Sequence, residues 1–467
     1  MLLRSSEVYS PCPKGLWLEA HQLYILAERR NLLDKIVNDD ERESKKITAE
    51  NSYKQIILFA LARPIALRQR DSERLYTKLF DWSKYASLHR EGTEKHIDHM
   101  FSVRVHHDSP PNYLAKEDLA EDITIRALDT SKLVNHVKEL IIEQEKEKKK
   151  IAIGDTIPLE TLYSLVASWG ESAKRRFSRA ERHGHINVAI GLTLATKAIR
   201  ASYRDPTSVS TTTGFVRTSA SLKQDPDFTL ESISKSNDDD QAYMTHTEVG
   251  ATANNSWDMV AKGRALTDSY DKAQKFSEKE KLNLRNKDTD SHWEIVNISA
   301  GGYCLRWNSD NTSKAQIGEL IAMQEFDTKN NFEWRVGVIR WMQFTQENGL
   351  EIGVQVLSPK VVTATAQRNN RPSETPFDCL MLPGIKALNQ ASSILLPSHA
   401  FKTGDKLIVK ILDNKLQITL SDTKEHTGSF TQFVYKNTEE DQRIKKQVKK
   451  EEATKNKDDF DELWSSL

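Results

Sequence analysis

Cysteine is scarce in this chain of 467 residues, where Cys12, Cys304 and Cys379 are all there are. Three thiols so far apart fit neither a disulfide framework nor a zinc knuckle, and they suit a reducing compartment. No run of about 18 uncharged apolar residues occurs, and the opening MLLRSSEVYSPCPKG holds no apolar stretch of signal-peptide length. Neither a membrane span nor secretion is expected, and a cytoplasmic protein is. An excess of one charge is missing too, since Lys plus Arg and Asp plus Glu are 67 each. With no global field to draw it onto a nucleic-acid polymer or an anionic membrane, nucleotide recognition would have to be local.

Short enzyme patterns are also lacking. There is no G-x-x-x-x-G-K-[ST] phosphate loop, no G-x-G-x-x-G after a strand, no H-E-x-x-H and no G-x-S-x-G. His183 and His185 flank a glycine, and His106 and His107 are adjacent, but no Cys or acidic ligand pattern accompanies either pair. They read as surface or strand-edge residues, with no metal and no cofactor expected. The expectation is a protein that is not an enzyme.

What is present divides the chain. Its length suggests two to four domains at roughly 100–200 residues each. Over 15–88 the apolar residues recur at helical spacing, first Trp17, Leu18, Leu23, Ile25, Leu26, Leu32, Leu33 and Ile36, then Tyr53, Ile56, Ile57, Phe59, Ala60, Leu75, Leu79, Trp82 and Tyr85. This predicts a helical domain, 1–97, of three or four packed helices, one of them ended by Pro64, which lacks a donor. In 98–170 Phe101, Val103 and Val105 alternate, as do Ile123, Ile125 and Ala127, and a helix over 131–148 follows, which together predict a small α/β element. The EQEKEKKK run that ends this helix interleaves Glu with Lys and reads as a solvated extension.

A second helix is expected over 159–174, ending in a basic run, and HINVAIGLTLA after it reads as a strand. Residues 201–290 are rich in Ser, Thr, Asp and Asn, too polar to offset the entropy of ordering, and predict a disordered or loosely helical insertion. From Trp293 strands return as WEIVNI, YCLRW, IGELIAMQEF, EWRVGVIRWMQF and LEIGVQVLS, parted by turn-forming residues at Gly301-Gly302, Ser309-Asp310-Asn311, Lys329-Asn330-Asn331 and Glu347-Asn348-Gly349. That predicts an antiparallel barrel or sandwich. Residues 370–436 read as a small C-terminal β unit with a hairpin at Asp413-Asn414, and 437–467 as a charged tail. Within the tail Phe460, Leu463, Trp464 and Leu467 form one helical stripe, either a docking peptide or a frayed end.

Two short pieces on either side of the insertion carry the chemistry. Arg175 and Arg179 are four apart just before a strand, with Arg176 beside the first, and Asn297, Ser299, Gly301 and Gly302 lie in NISAGG just after another. Arginine presents a planar fork to guanine O6 and N7 or to phosphate oxygens, and it stacks on purines. Asn297 can both accept and donate, Ser299 offers a hydroxyl, and the two glycines permit φ > 0 and close backbone approach. These are binding roles. A K-x-x-x-R run at Lys281 to Arg285 lies nearer NISAGG, but no strand follows it directly, so RRFSR is preferred.

Together the pieces resemble the PilZ family, whose cyclic-di-GMP signature is R-x-x-x-R leading into a barrel and D/N-x-S-x-x-G at the end of a later strand. GVIRWMQFTQENGLEIGVQV is similar to the PilZ strand pair, and the likeness covers 175–200 and 293–363. The runs FALARPIALRQ, FSVRVHHDSPPNYL and HTGSFTQFVY extend it to multidomain PilZ proteins of proteobacteria with a helical N-terminal region. The fold class implied is multidomain α+β: helical N-terminal region, small α/β element, PilZ-type antiparallel β-barrel split between 171–200 and 291–363, and small C-terminal β unit.

The resemblance implies a receptor that binds cyclic-di-GMP through Arg175, Arg176, Arg179, Asn297, Ser299, Gly301 and Gly302. It would relay the signal through a protein partner to motility, surface attachment or biofilm formation. The alternative is a PilZ-like scaffold that has lost its ligand. A hydrolase or cyclase acting on the dinucleotide would need carboxylate clusters that the sequence does not offer. Asn297 stands where Asp is more usual, which keeps hydrogen bonding and gives up charge. The chain also begins abruptly at a helix where relatives carry more sequence, so an initial helical segment is expected to be missing.

Overall fold

The computed structural model describes residues 1–39, 45–90, 100–113, 125–146, 156–170, 178–202, 290–308, 313–325, 334–371, 373–384, 390–411 and 414–437. The expected insertion, the K-x-x-x-R run at 281–285 and the C-terminal stripe fall almost wholly outside them.

The N-terminal part holds α1 (Leu2–Glu7), α2 (Leu16–Arg29), the short pair β1 (Val37–Asp39) and β2 (Lys45–Ile47), α3 (Ala49–Leu61) and α4 (Gln69–Trp82). Gly15 opens α2 at φ 86°, and because it has no side chain to cap with, Asp108 does so from afar, accepting from the amides of Gly15, Trp17 and Leu18. Thr48 caps α3 through Asn51 N–H at 3.2 Å, and the helix stops before the turn at Pro64–Ala66. There Arg63 takes φ 55°, a left-handed conformation, in place of the extended one usual before proline.

A four-stranded sheet follows, from β3 (Ser87–His89), β4 (Met100–Arg104), β5 (Asn112–Tyr113) and β6 (Ile125–Asp129), in the order β3-β6-β4-β5. It is joined by α5 (Ser131–Lys146) and α6 (Leu159–Trp169). The sequence places a boundary at 97/98, and apolar packing and strand pairing run across that point. Ile57, Leu75, Phe101, Leu128, Leu133 and Trp169 belong to one apolar core, and β3 pairs with β6 across the expected boundary. The buried pair Glu28 and Arg126, 2.8 Å apart, ties α2 to β6.

The first barrel is closed by β7 (Ala180–Ile190), β8 (Asp290–Ser299), β9 (Gly302–Trp307), β10 (Leu320–Glu325), β11 (Trp334–Thr345) and β12 (Gly349–Ser358), in the order β10-β11-β12-β9-β8-β7. Inward-facing Ile186, Trp293, Leu305, Ile321, Ile339 and Ile352 fill it. The expected strand HINVAIGLTLA breaks in two: Gly191, at φ 93°, ends β7 and starts α7 (Leu192–Ser202). Its Ala, Leu and Ile positions recur at a period that suits a helix face as well as a strand.

The second barrel contains β13 (Val362–Arg368), β14 (Phe377–Leu382), β15 (Ser393–Pro397), β16 (Lys406–Ile411), β17 (Asn414–His426) and β18 (Phe430–Asn437). The sequence drew the first barrel to 363 and began the C-terminal unit at 370. Because β13 pairs with β14 and β16, the division instead lies at Val362, and the C-terminal unit is a full closed barrel. A third apolar cluster joins the two barrels. Leu320, Ala322, Val336 and Val338 on the outside of the first meet α7 and Leu380, Leu395 and Phe430 of the second.

Candidate functional site

Six strand ends meet at one rim of the first barrel, because its neighbouring strands are all antiparallel. The starts of β7, β9 and β11 lie there with the ends of β8, β10 and β12. This brings the two sequence pieces together. Ala180 pairs with Ile298 and Glu181 with Asn297, so Arg179, exposed one residue before β7, arrives at the end of β8 that carries Asn297 and Ser299. Some 120 intervening residues separate the two along the chain and none across the ladder. Arg175 and Arg176 lie outside the described residues.

Asn297 and Ser299 are both half-buried. The Ser299 hydroxyl donates to the Gly302 carbonyl at 3.3 Å, spanning the hairpin. The Gly301 carbonyl accepts from Val356 N–H at 3.0 Å. Of the two freedoms the sequence allows these glycines, a positive φ and a close backbone approach, the structure uses the second. Gly302 is extended in β9 and is required for another reason: a Cβ there would run into the Val354 carbonyl of β12. Cys304 pairs with Asn297 across β8 and β9, and burial pushes its thiol up to about 11 while the Arg179 guanidinium opposes the shift. The rim carries its positive charge beside this thiol.

Sequence reasoning missed four further residues at the same rim. Glu325, at the end of β10, is held by Arg182 at 3.0 Å and Arg335 at 2.9 Å, and it accepts from the Tyr303 hydroxyl at 2.5 Å. Arg182, His183, Gly184, His185, Ile295 and Glu325 line an open hollow of about 340 Å³. His183 and His185 are exposed on β7. The spacing of Arg182 three residues after Arg179 was the only sequence signal. Arg335, Tyr303 and Glu325 join it through barrel closure, which no local pattern encodes.

Helix α6 ends at Trp169, short of the expected 174. Its last side chain is anchored in the helical core, where the Trp169 indole donates to the Leu58 carbonyl at 3.0 Å and the Thr130 hydroxyl donates to the Trp169 carbonyl at 2.6 Å.

Comparison with known proteins gives three successive matches. Residues 1–93 match the family described as the N-terminal domain of the cyclic-di-GMP receptor FimW, residues 100–362 its middle PilZ domain, and residues 362–438 the FimW C-terminal beta-barrel domain. The chain is 26% identical over 481 residues to the cyclic-di-GMP receptor FimW of Pseudomonas aeruginosa, covering 100% of this chain and 75% of that protein. No solved structure matches it. Among the described residues, no helix is long and apolar enough to cross a membrane.

Proposed function

We infer, because this chain belongs to the family of the middle PilZ domain of the cyclic-di-GMP receptor FimW, that it is a receptor for cyclic-di-GMP, which it binds at the rim of its first barrel. The observation that carries the reading is the pairing of β7 with β8, which sets Arg179 beside Asn297 and Ser299. Arg179, with Arg175 and Arg176 from the preceding segment, grips guanine and phosphate. Asn297 reads a guanine edge, Ser299 supplies a hydroxyl, and Gly301 and Gly302 keep the hairpin bare of side chains. The protein is a cytoplasmic signalling component and not an enzyme. Its output passes through a protein partner to surface attachment, motility or biofilm formation.

Binding relays through α6. The Trp169 end of α6 is anchored in the helical core, so a ligand that prefers one placement of this helix over another shifts the N-terminal region with it. Calorimetry with cyclic-di-GMP tests the reading. A charge-assisted hydrogen bond contributes about 1.5–3 kcal/mol, so Arg179→Ala is expected to weaken binding roughly ten- to a hundredfold. Absence of heat with the unaltered chain would overturn the receptor assignment and leave the scaffold alternative. Chromatography of the ligand after incubation is expected to return it intact.

A further inference from the structure

The rim holds an ion cluster that the ligand set just proposed does not use. Glu325 faces two guanidiniums, Arg182 and Arg335, whose side chains are 48% and 42% exposed. It also accepts from Tyr303, whose hydroxyl in turn accepts from Arg335. Tyr303 immediately follows Gly302 and pairs with Ile298, the residue between Asn297 and Ser299. Burial first, and then the hydrogen bond to Glu325, push its phenol up to about 12, so it stays a neutral donor to that carboxylate.

Arg182 has an unusual position on β7. Between Glu181 and Gly184 the strand advances three residues while β8 retreats two, from Asn297 to Ile295. The extra residue falls at Arg182 and His183, and such bulges re-aim a side chain at a strand end. Arg182 is three strand residues from Arg179, roughly 10 Å at the usual rise, a separation that a ligand with two phosphates and two bases can bridge. A phosphate offers the guanidinium fork the same paired oxygens as a carboxylate. Glu325 Oε2, 3.0 Å from one Arg182 nitrogen, therefore sets a negative charge where a phosphate oxygen could bind, at an open rim where exchange is possible.

We propose that Arg182 is a further phosphate-binding residue of this site and that Glu325 is its resident competitor, from which the ligand takes Arg182 on binding. Arg335 and Tyr303 remain to hold the released carboxylate, so the exchange leaves no buried charge alone. The inference rests on the cyclic-di-GMP reading above. It also explains why an acidic side chain stands at a rim meant for a dianionic ligand: the competitor raises the ligand concentration needed to fill the site.

The test is calorimetry of the full chain with cyclic-di-GMP at low salt, for the unaltered protein, Arg182→Gln, Glu325→Gln and the double variant. Arg182→Gln is expected to weaken binding about tenfold. Glu325→Gln is expected to tighten it several-fold, and the gain is expected to vanish when Arg182 is already absent. Binding by Arg182→Gln equal to that of the unaltered chain overturns the proposal, as does a Glu325→Gln gain that survives in the double variant. Arg182 is half-exposed and outside the apolar core, so its variant decides the matter even where Glu325→Gln fails to fold. No binding by the unaltered chain sinks the receptor reading itself, an outcome distinct from binding that ignores Arg182.

Discussion

His21 is fully buried in the helical region, and its two ring nitrogens have different partners. Nε2 lies 3.0 Å from the Ser109 carbonyl and Nδ1 lies 2.6 Å from the Tyr53 hydroxyl. A carbonyl only accepts, so Nε2 carries the proton and Nδ1 takes one from Tyr53, an arrangement that suits the neutral ring. Burial lowers the pKa of His21, with the Ser109 carbonyl and Asp108 opposing and His106 and His107 adding to the shift. The unfolded chain therefore takes up a proton at a higher pH than the folded one. Its contribution to stability is complete above about pH 6.5 and is lost as pH falls below that through the folded pKa. Denaturant titrations from pH 8 to pH 5 are expected to show stability falling on acidification, with a shallower fall for His21→Gln. An equal slope in the two would show that His21 titrates as an ordinary surface residue. Single residues stand out in the sequence where they sit in a spaced motif, as with Arg179, Asn297 and Ser299, and the pairing of β7 with β8 brings these three to one strand end. His21 and Glu325 do not, because their meaning comes from partners far away in the chain.

Elements divide along the same line. Strand alternation located β8 to β12 with little error, since one side of each strand faces the barrel interior and the other does not. It misjudged the stretch around Gly191, where apolar spacing suits either period, and it could not say that 370–436 needed Val362–Arg368 to close a barrel. Closure depends on which edges meet, and pattern within a strand does not record that. The hairpin between β8 and β9 shows how a motif glycine can belong to the element before it belongs to the site. At Gly302 a methyl group would meet the Val354 carbonyl, so Gly302→Ala has to part β9 from β12. Overpacking of this kind costs about 1–3 kcal/mol. The expected outcome is a lowered Tm together with lost ligand binding, whereas Ser299→Ala, which gives up only the hydrogen bond to the Gly302 carbonyl, loses binding with a smaller fall in Tm. A Gly302→Ala chain as stable as the original would show that the glycine serves the ligand alone.

At the scale of the whole molecule, three regions converge on Arg68. Its Nε donates to the Ile317 carbonyl at 3.0 Å, across 249 positions of sequence. Its guanidinium fills the space where Cβ atoms of Gly318 in the first barrel and Gly428 in the second would stand. Both glycines are there to admit it. Around this point Ser429 donates to Glu319 at 2.7 Å and Arg340 pairs with Glu425 at 2.7 Å, each joining one barrel to the other. On the N-terminal side, the Phe344 amide of β11 donates to the Tyr9 carbonyl at 2.7 Å, and the Tyr9 hydroxyl donates to the Leu67 carbonyl at 3.3 Å. One side chain of the N-terminal region is thus in contact with both barrels. Arg68→Ala is expected to raise hydrogen exchange at the amides of residues 317–319 and 427–429 while leaving exchange inside each barrel unchanged. Arg68→Lys is expected to behave like the alanine variant, because a lysine has one nitrogen where the junction uses a planar fork. Full protection in the lysine variant would mean that the junction needs only the charge. Unchanged exchange in both variants would mean that the apolar contact of α7 with the two barrels holds them together by itself.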